Sequence, residues 1–203
     1  LGKEKEFKFE DLGPRGVHYQ ESYATPSCGD YGNDGNLDVF FTTVYGVASF
    51  GRKNNPVLFK NDGQFNVKDV SAASGVAGLP PTYQSAWVDY DNDGDLDLTS
   101  GGQLFQNQGS KNNFVTVRLI GDGKDVNRSA IGAQVRITIG EKTFTRHVEA
   151  GTGEGNQNDL ALHFGLGNHN GPVKLNITWP NRLRQSASTE SGKTAVVNYE
   201  VVP

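Results

Sequence analysis

One cysteine and no methionine occur in the 203-residue chain. A single thiol excludes an internal disulfide framework and any zinc or iron–sulfur centre built from several cysteines. Cys28 reads as a buried or inert thiol rather than a nucleophile. No run of 18 apolar residues is present, so no helix of the sequence spans a bilayer. The opening Leu1-Gly2-Lys3-Glu4 carries no apolar signal core. Without an initiator methionine the chain reads as processed or excised, so the missing leader argues nothing about compartment. Excess basic charge is absent too: 19 Lys and Arg face 23 Asp and Glu, a net charge of −4, which gives no reason to expect nucleic acid or an anionic membrane as partner. No helical apolar period extends beyond about two turns, and Lys68 to Ala73 is the best short helical candidate.

Glycine, by contrast, is abundant, with 26 residues, and aromatics reach 10%. The Val, Ile, Thr, Phe and Tyr stand in short runs broken by Gly, Asn and Asp, which is the composition of an all-β protein. The acid is concentrated. Asp30, Asp34 and Asp38 fall in one nine-residue window, and Asp89, Asp91, Asp93, Asp95 and Asp97 in another, which leaves the rest of the chain slightly positive.

The two windows are copies. Asp30-Tyr-Gly-Asn-Asp-Gly-Asn-Leu-Asp38 and Asp89-Tyr-Asp-Asn-Asp-Gly-Asp-Leu-Asp97 share seven of nine positions at a separation of 59 residues. Flanking matches extend the unit: Phe7, Asp11, Leu12, Gly16 and Val17 align with Phe65, Asp69, Val70, Gly75 and Val76, and Leu58-Phe59-Lys60-Asn61 aligns with Leu104-Phe105-Gln106-Asn107. The first copy spans 1–63 and the second 64–109, each a set of short strands that resembles a propeller blade. The first copy's extra residues, Tyr45 to Asn55, are expected as a surface loop. After Gly109 the repeat stops. Phe114–Ile120, Gln134–Ile139, Thr143–Val148, Leu160–Phe164, Val173–Trp179 and Thr194–Val202 then read as six strands of a small Ig-like β-sandwich over 110–203.

Acids at positions 1, 5 and 9, with Gly at position 6, let one tight loop turn several hard oxygens toward a common centre. In the second loop the side chains of Asp89, Asp91, Asp93 and Asp97 and the backbone carbonyl of Asp95 are candidate Ca²⁺ ligands. In the first they are Asp30, Asp34 and Asp38 with the carbonyl of Asn36. Gly32 stands where the second loop has Asp91, so the first site is expected to be the weaker. Asp, Asn and Gly also cluster in ordinary turns, but the four candidate ligand carboxylates of the second loop repel one another without a cation. An EF-hand is excluded by the lack of a Glu at position 12 and of flanking helices. Two bound Ca²⁺ would cancel the net charge.

These motifs carry a resemblance. Asp89-Tyr-Asp-Asn-Asp-Gly-Asp-Leu-Asp-Leu98, with Leu58-Phe-x-Asn-x-Gly-x-Phe65 and Asp69-Val-Ser-Ala-Ala-Ser-Gly-Val76, resembles the FG-GAP or VCBS repeat of integrin-type β-propellers. Asn127-Arg-Ser-Ala-Ile-Gly-Ala-Gln-Val-Arg136, Gly151-Thr-Gly-Glu-Gly155, His163-Phe-Gly-Leu-Gly167 and Trp179-Pro180 are similar to the ASPIC/UnbV domain that follows such repeats in cartilage-acidic-protein-like secreted proteins. The resemblance implies secretion, calcium-dependent stability and interaction roles, and names no reaction. Only two repeats are present where a family propeller has several more.

Other candidate chemistry reads as packing. His163 has no Ser, Cys or acid in a recognisable nucleophile arrangement. His18, His147 and His169 are scattered, the Gly151–Gly155 run precedes no helix that could hold a phosphate, and Glu149 with Glu154 has no spacing that fixes a glycosidase pair. Trp87 and Trp179 are expected to be buried, with Tyr45, Tyr83 and Tyr90 leaving a sugar platform open. Asn127 and Asn176 are formal glycosylation sequons. The expectation is a secreted or cell-surface, calcium-stabilised, non-enzymatic module that acts by adhesion or assembly. A glycan-binding module or a calcium-dependent enzyme with a site in the inter-domain cleft is the alternative. Two blades cannot close a propeller, so either another copy, in an oligomer or a filament joined by strand donation from Lys3–Glu10, or the remainder of a longer chain is expected to cover the open edges.

Overall fold

The computed structural model describes residues 9–64 and 66–200. Residues 3–8 of the expected donated strand, together with Phe7 and Phe65 of the repeat alignment, lie outside them. Among the described residues fourteen strands form four separate sheets. β1 (Tyr23–Gly29), β2 (Asp38–Thr43), β3 (Val57–Asn61) and β4 (Val67–Asp69) make an antiparallel meander in chain order. A second meander contains β5 (Ser85–Val88), β6 (Asp97–Ser100) and β7 (Gln103–Phe105). Propeller curvature is not seen among the described residues, so of the sequence reading the fold bears out the all-β class.

The rest of the chain has β8 (Asn113–Ile120), β9 (Gln134–Ile139), β10 (Lys142–His147), β11 (Leu162–Gly167), β12 (Pro172–Thr178), β13 (Arg184–Glu190) and β14 (Lys193–Asn198). They pair as β10-β9-β12-β13 and as β11-β8-β14, with β14 parallel to β8. Alternation explains the packing. Val173, Leu175 and Ile177 of β12 point to one face and are buried, while the residues between them are exposed. They join Val135 and Ile137 of β9, Val115, Val117 and Leu119 of β8, and Phe164 of β11 in one core that draws on both sheets. A smaller core of Phe40, Leu58, Val76, Leu79, Trp87 and Leu98 joins the two N-terminal meanders, where the Trp87 indole of β5 donates to the Ser27 carbonyl of β1 at 3.3 Å. Both tryptophans are buried, as expected.

Four expectations are corrected. Lys68 to Ala73 is not helical: Lys68 pairs with Lys60 in β4, and the Asp69 carboxylate then accepts the Ser71 N–H at 2.9 Å and turns the chain. Cys28 is exposed rather than buried, because alternation along β1 turns it away from buried Ser27 and Gly29. The strand expected over Leu160–Phe164 starts at Leu162 and runs through Gly165 to Gly167. β1 and β13 were not anticipated. Pro26 sits at a register shift in β1. The inward positions of β13 are Gln185, Ala187 and Thr189, too small or polar to make an apolar period. The Tyr45–Asn55 insertion is a surface loop, with Phe50 fully exposed at its tip.

Candidate metal centre

The repeated sequence folds into repeated geometry. Position 4 of each loop is an Asn with left-handed backbone, Asn33 at φ 54° and Asn92 at φ 61°, and position 6 is a Gly at φ 89° or 92°. Glycine is required there twice over, since a side chain on Gly35 or Gly94 would also strike Phe144 or Phe114. In both loops the first Asp accepts the N–H of that Gly, Gly35 to Asp30 at 2.8 Å and Gly94 to Asp89 at 3.1 Å. The fifth residue accepts from the seventh, at 2.9 Å for Asp34 with Asn36 and for Asp93 with Asp95. The ninth accepts from the following strand, Asp38 from Asn61 at 2.8 Å and Asp97 from Asn107 at 2.7 Å.

The loops differ at position 3. In the second loop Asp89, Asp91 and Asp97 present carboxylate oxygens that all lie within 4.8 Å of one another, the sole such acidic, His or Cys cluster among the described residues. Asp89 Oδ1 is buried without a hydrogen-bond partner. Burial, reinforced by the neighbouring acids, holds the carboxyls of Asp89 and Asp97 above their ordinary range. Like charges gathered around an orphaned buried oxygen fit a divalent cation with a preference for hard oxygen donors. Asp93 lies outside the triad. The Asp95 side chain is committed elsewhere, accepting from Asn33 Nδ2 at 2.9 Å.

In the first loop Asp30, Asp34 and Asp38 do not converge in this way. A Cβ on Gly32 would lie 3.4 Å from Lys60 Nζ, so an ammonium stands near the position of the missing third carboxylate. The aligned residue of the second repeat is Gln106, whose Nε2 donates to Asp91 at 2.7 Å. The Asp38 carboxyl is pushed up to about 7, by burial first and by Asp30 and Asp34 next, with Lys60 opposing. Its Oδ2 is also buried and unpartnered. Converting the first loop to the second loop's pattern, with Gly32→Asp and Lys60→Gln together, is expected to add one bound Ca²⁺ per chain in equilibrium dialysis. Unchanged stoichiometry would show that position 3 is not what separates the loops.

Both loops meet the C-terminal half. Asp30 Oδ2 accepts the Gly165 N–H at 3.1 Å, and Asn112 Nδ2 donates to the Gly32 carbonyl at 2.8 Å. Asn33 Nδ2 donates to the Gly94 carbonyl and to Asp95, so its Oδ1 is left to accept from His163 Nε2. His163 is thus a buried, neutral histidine joining the halves, stacked 6.0 Å from Phe114, with its pKa lowered to about 4 by burial and then by Arg146. The Gly151–Gly155 run is a turn beside a bridge from Gly153 to Asn156. Asn156 Oδ1 and Asn158 Oδ1 accept from the N–H groups of Ser85 and Trp87 at 3.1 and 3.0 Å. Sequence reasoning missed Asn33, Asn156 and Asn158. Only Asn33 left a signal, as the Asn common to position 4 of both loops. Asn127 and Asn176, the sequon residues, lie in a turn and in β12, and the Asn127 amide is committed on both sides to Ile131.

Residues 123–199 match the family model described as ASPIC and UnbV. An ASPIC/UnbV-like domain is therefore present over that part of the chain. It contributes Phe144, His163 and Gly165 to the seam, while both acidic loops lie outside the matched span. No curated protein matches the chain. Among the described residues no helix is long and apolar enough to cross a membrane.

Proposed function

We propose that the chain is a secreted or cell-surface, calcium-stabilised module without catalytic activity, acting by adhesion or assembly. The observation that carries this reading is the convergence of Asp89, Asp91 and Asp97 around a buried, unpartnered carboxylate oxygen. An all-oxygen donor set suits Ca²⁺ better than zinc, which favours His and Cys. The remaining acids of both loops are taken up by backbone N–H groups and by the seam, which supports a role in holding structure together. Blade-like use of the two meanders and an Ig-like sandwich in the ASPIC/UnbV-like domain belong to the same reading, supported by the repeated loop geometry and by the core that two sheets share.

Titration of metal-depleted protein by calorimetry tests the metal. One strong Ca²⁺ event is expected at the second loop, with Mg²⁺ weaker because the smaller ion demands a near-ideal octahedron and gives up its water reluctantly. Asp91→Asn is expected to weaken Ca²⁺ about tenfold or more, as the loss of one charge-assisted ligand implies. Absence of a Ca²⁺ heat, or equal affinity in Asp91→Asn, would overturn the assignment.

Assembly is the second part of the reading. Among the described residues β7 pairs only with β6, an open edge that favours pairing with another chain, whereas β4 already donates its Val67 N–H to the Arg15 carbonyl at 2.8 Å. Light scattering in Ca²⁺ is expected to report oligomers that deletion of residues 1–10 abolishes. A monomer at micromolar concentration would rule out assembly by strand donation.

A further inference from the structure

Along the seam between the N-terminal meanders and the ASPIC/UnbV-like domain opens a cavity of about 440 Å³, within the size range of small-molecule sites. Residues of β1, β5, β10 and β11 line it, with Leu37 and Leu96 supplying apolar wall from the two acidic loops. Most charged groups around it already have partners. The Asp30 carboxylate accepts three backbone N–H groups, and Asp159 pairs with Arg118 at 3.2 Å. His147 Nε2 lies 3.1 Å from Gln134 Nε2.

Arg146 is different. Its Nη1 donates to the carbonyl of the adjacent Thr145 at 3.1 Å, while Nη2 is buried and has no partner. The guanidinium lies 5.4 Å from the centre of the Phe164 ring, so one face is fixed against the core, and Arg146 is one of the residues that line the cavity. A buried guanidinium N–H without an acceptor is costly, and a planar fork matches a carboxylate.

We propose that this cavity binds a small organic monocarboxylate, with the carboxylate on Arg146 and the apolar body against Leu37 and Leu96. Glu149, at the exposed side of the cavity, and buried Asp30 set a negative background. One guanidinium against that background suits a single negative charge and disfavours a phosphate dianion. The site involves none of the Asp89, Asp91 and Asp97 carboxylates, so it stands or falls separately from the metal assignment.

Cys28, the one cysteine of the chain, borders the same cavity and is exposed, which makes it a reporter of occupancy. The full chain in Ca²⁺ would be reacted with N-ethylmaleimide, a neutral thiol reagent, in the presence of phenylacetate, hexanoate, glucuronate, phenylacetamide or inorganic phosphate. Each would be used at roughly 20 mM, above the millimolar affinity expected of one charge-assisted contact. Phenylacetate or hexanoate is expected to slow the reaction saturably, and phenylacetamide and phosphate to leave it unchanged. Protection by glucuronate as well would extend the ligand class to sugar acids. Arg146→Met is expected to weaken the protecting carboxylate about tenfold or more. Exposed Glu149→Gln, which leaves the core untouched, is expected to tighten it. No protection by any of the three carboxylates, equal protection by phenylacetamide, or a Glu149→Gln affinity that falls would each overturn the proposal.

Discussion

Adding EGTA to calcium-loaded protein is expected to lower its melting temperature by roughly 5–10 °C. The figure follows from linkage: a ligand held at one hundred times its Kd stabilises by about 2.7 kcal/mol, and each kcal/mol moves a chain of this size by about 2–4 °C. The physical source is the second loop, where chelation leaves Asp89, Asp91 and Asp97 facing one another around an oxygen with no partner. Because Gly94 of that loop packs on Phe114 and its carbonyl accepts from Asn33, the loss should reach the seam as well as the loop. Asp91→Asn should reduce the EGTA effect, and Asp34→Asn should leave most of it. An EGTA-independent melting temperature in protein shown to hold calcium beforehand would refute the proposed stabilisation.

The metal-free chain should also respond to pH in a definite direction at the first loop. Burial pushes the Asp30 carboxyl up to about 6 and Asp38 to about 7. Both are raised above the ordinary carboxylate value, so the folded chain holds protons that the unfolded chain has released. Their contribution is complete below about pH 4 and is lost as pH rises through 6 to 7. His163 acts oppositely. Its folded pKa is depressed to about 4, so stability falls as pH drops from about 6.5 toward 4, where the unfolded chain takes up the proton first. Thermal scans in EGTA over pH 4 to 8 with His163→Gln beside the wild type separate the two. Without His163, lowering pH from 8 to about 5 should stabilise, since the raised Asp30 and Asp38 then dominate.

Gly165→Val is expected to destabilise by about 3 kcal/mol or more, the range of severe overpacking, and to part the two halves. Gly165 lies inside β11, where a Cβ would overlap the Asp30 carboxylate and the Asn33 backbone. The requirement is close approach of two distant segments of the chain. Gly167 does have turn-like backbone, at φ 58°, with open space around its would-be Cβ. Gly167→Ala should therefore cost only the left-handed penalty of about 1–2 kcal/mol. Thermal unfolding of the two variants decides the matter, because equal losses would mean that turn geometry governs both positions.

Period and repetition are local properties, and they were legible. Alternation placed β8, β9 and β12 within a residue or two, and the duplicated nine-residue window predicted two loops of the same conformation, down to glycine at position 6. What escaped were segments whose fate depends on partners. β13 has no apolar period and is held by a seven-residue pairing with β12. Lys68–Ala73 has a helix-like spacing but is claimed by β3 and by the Asp69 turn.

The candidate site divides along the same line. The acids that gather in each loop were readable because their spacing is short and the turn brings them together. Three facts lie between residues far apart in the chain: the Lys60 ammonium beside Gly32, the Asn33–His163 link, and the unpartnered Arg146 at the cavity. The first needs β3 to pair beside the β1–β2 loop, and the other two depend on which faces the N-terminal meanders and the C-terminal half turn toward one another. Sequence by itself determined an all-β chain with two acidic turns. Only the packing of one half on the other decided that these turns form the seam, because a side chain's partners across an interface leave no periodic trace in the strand that carries it.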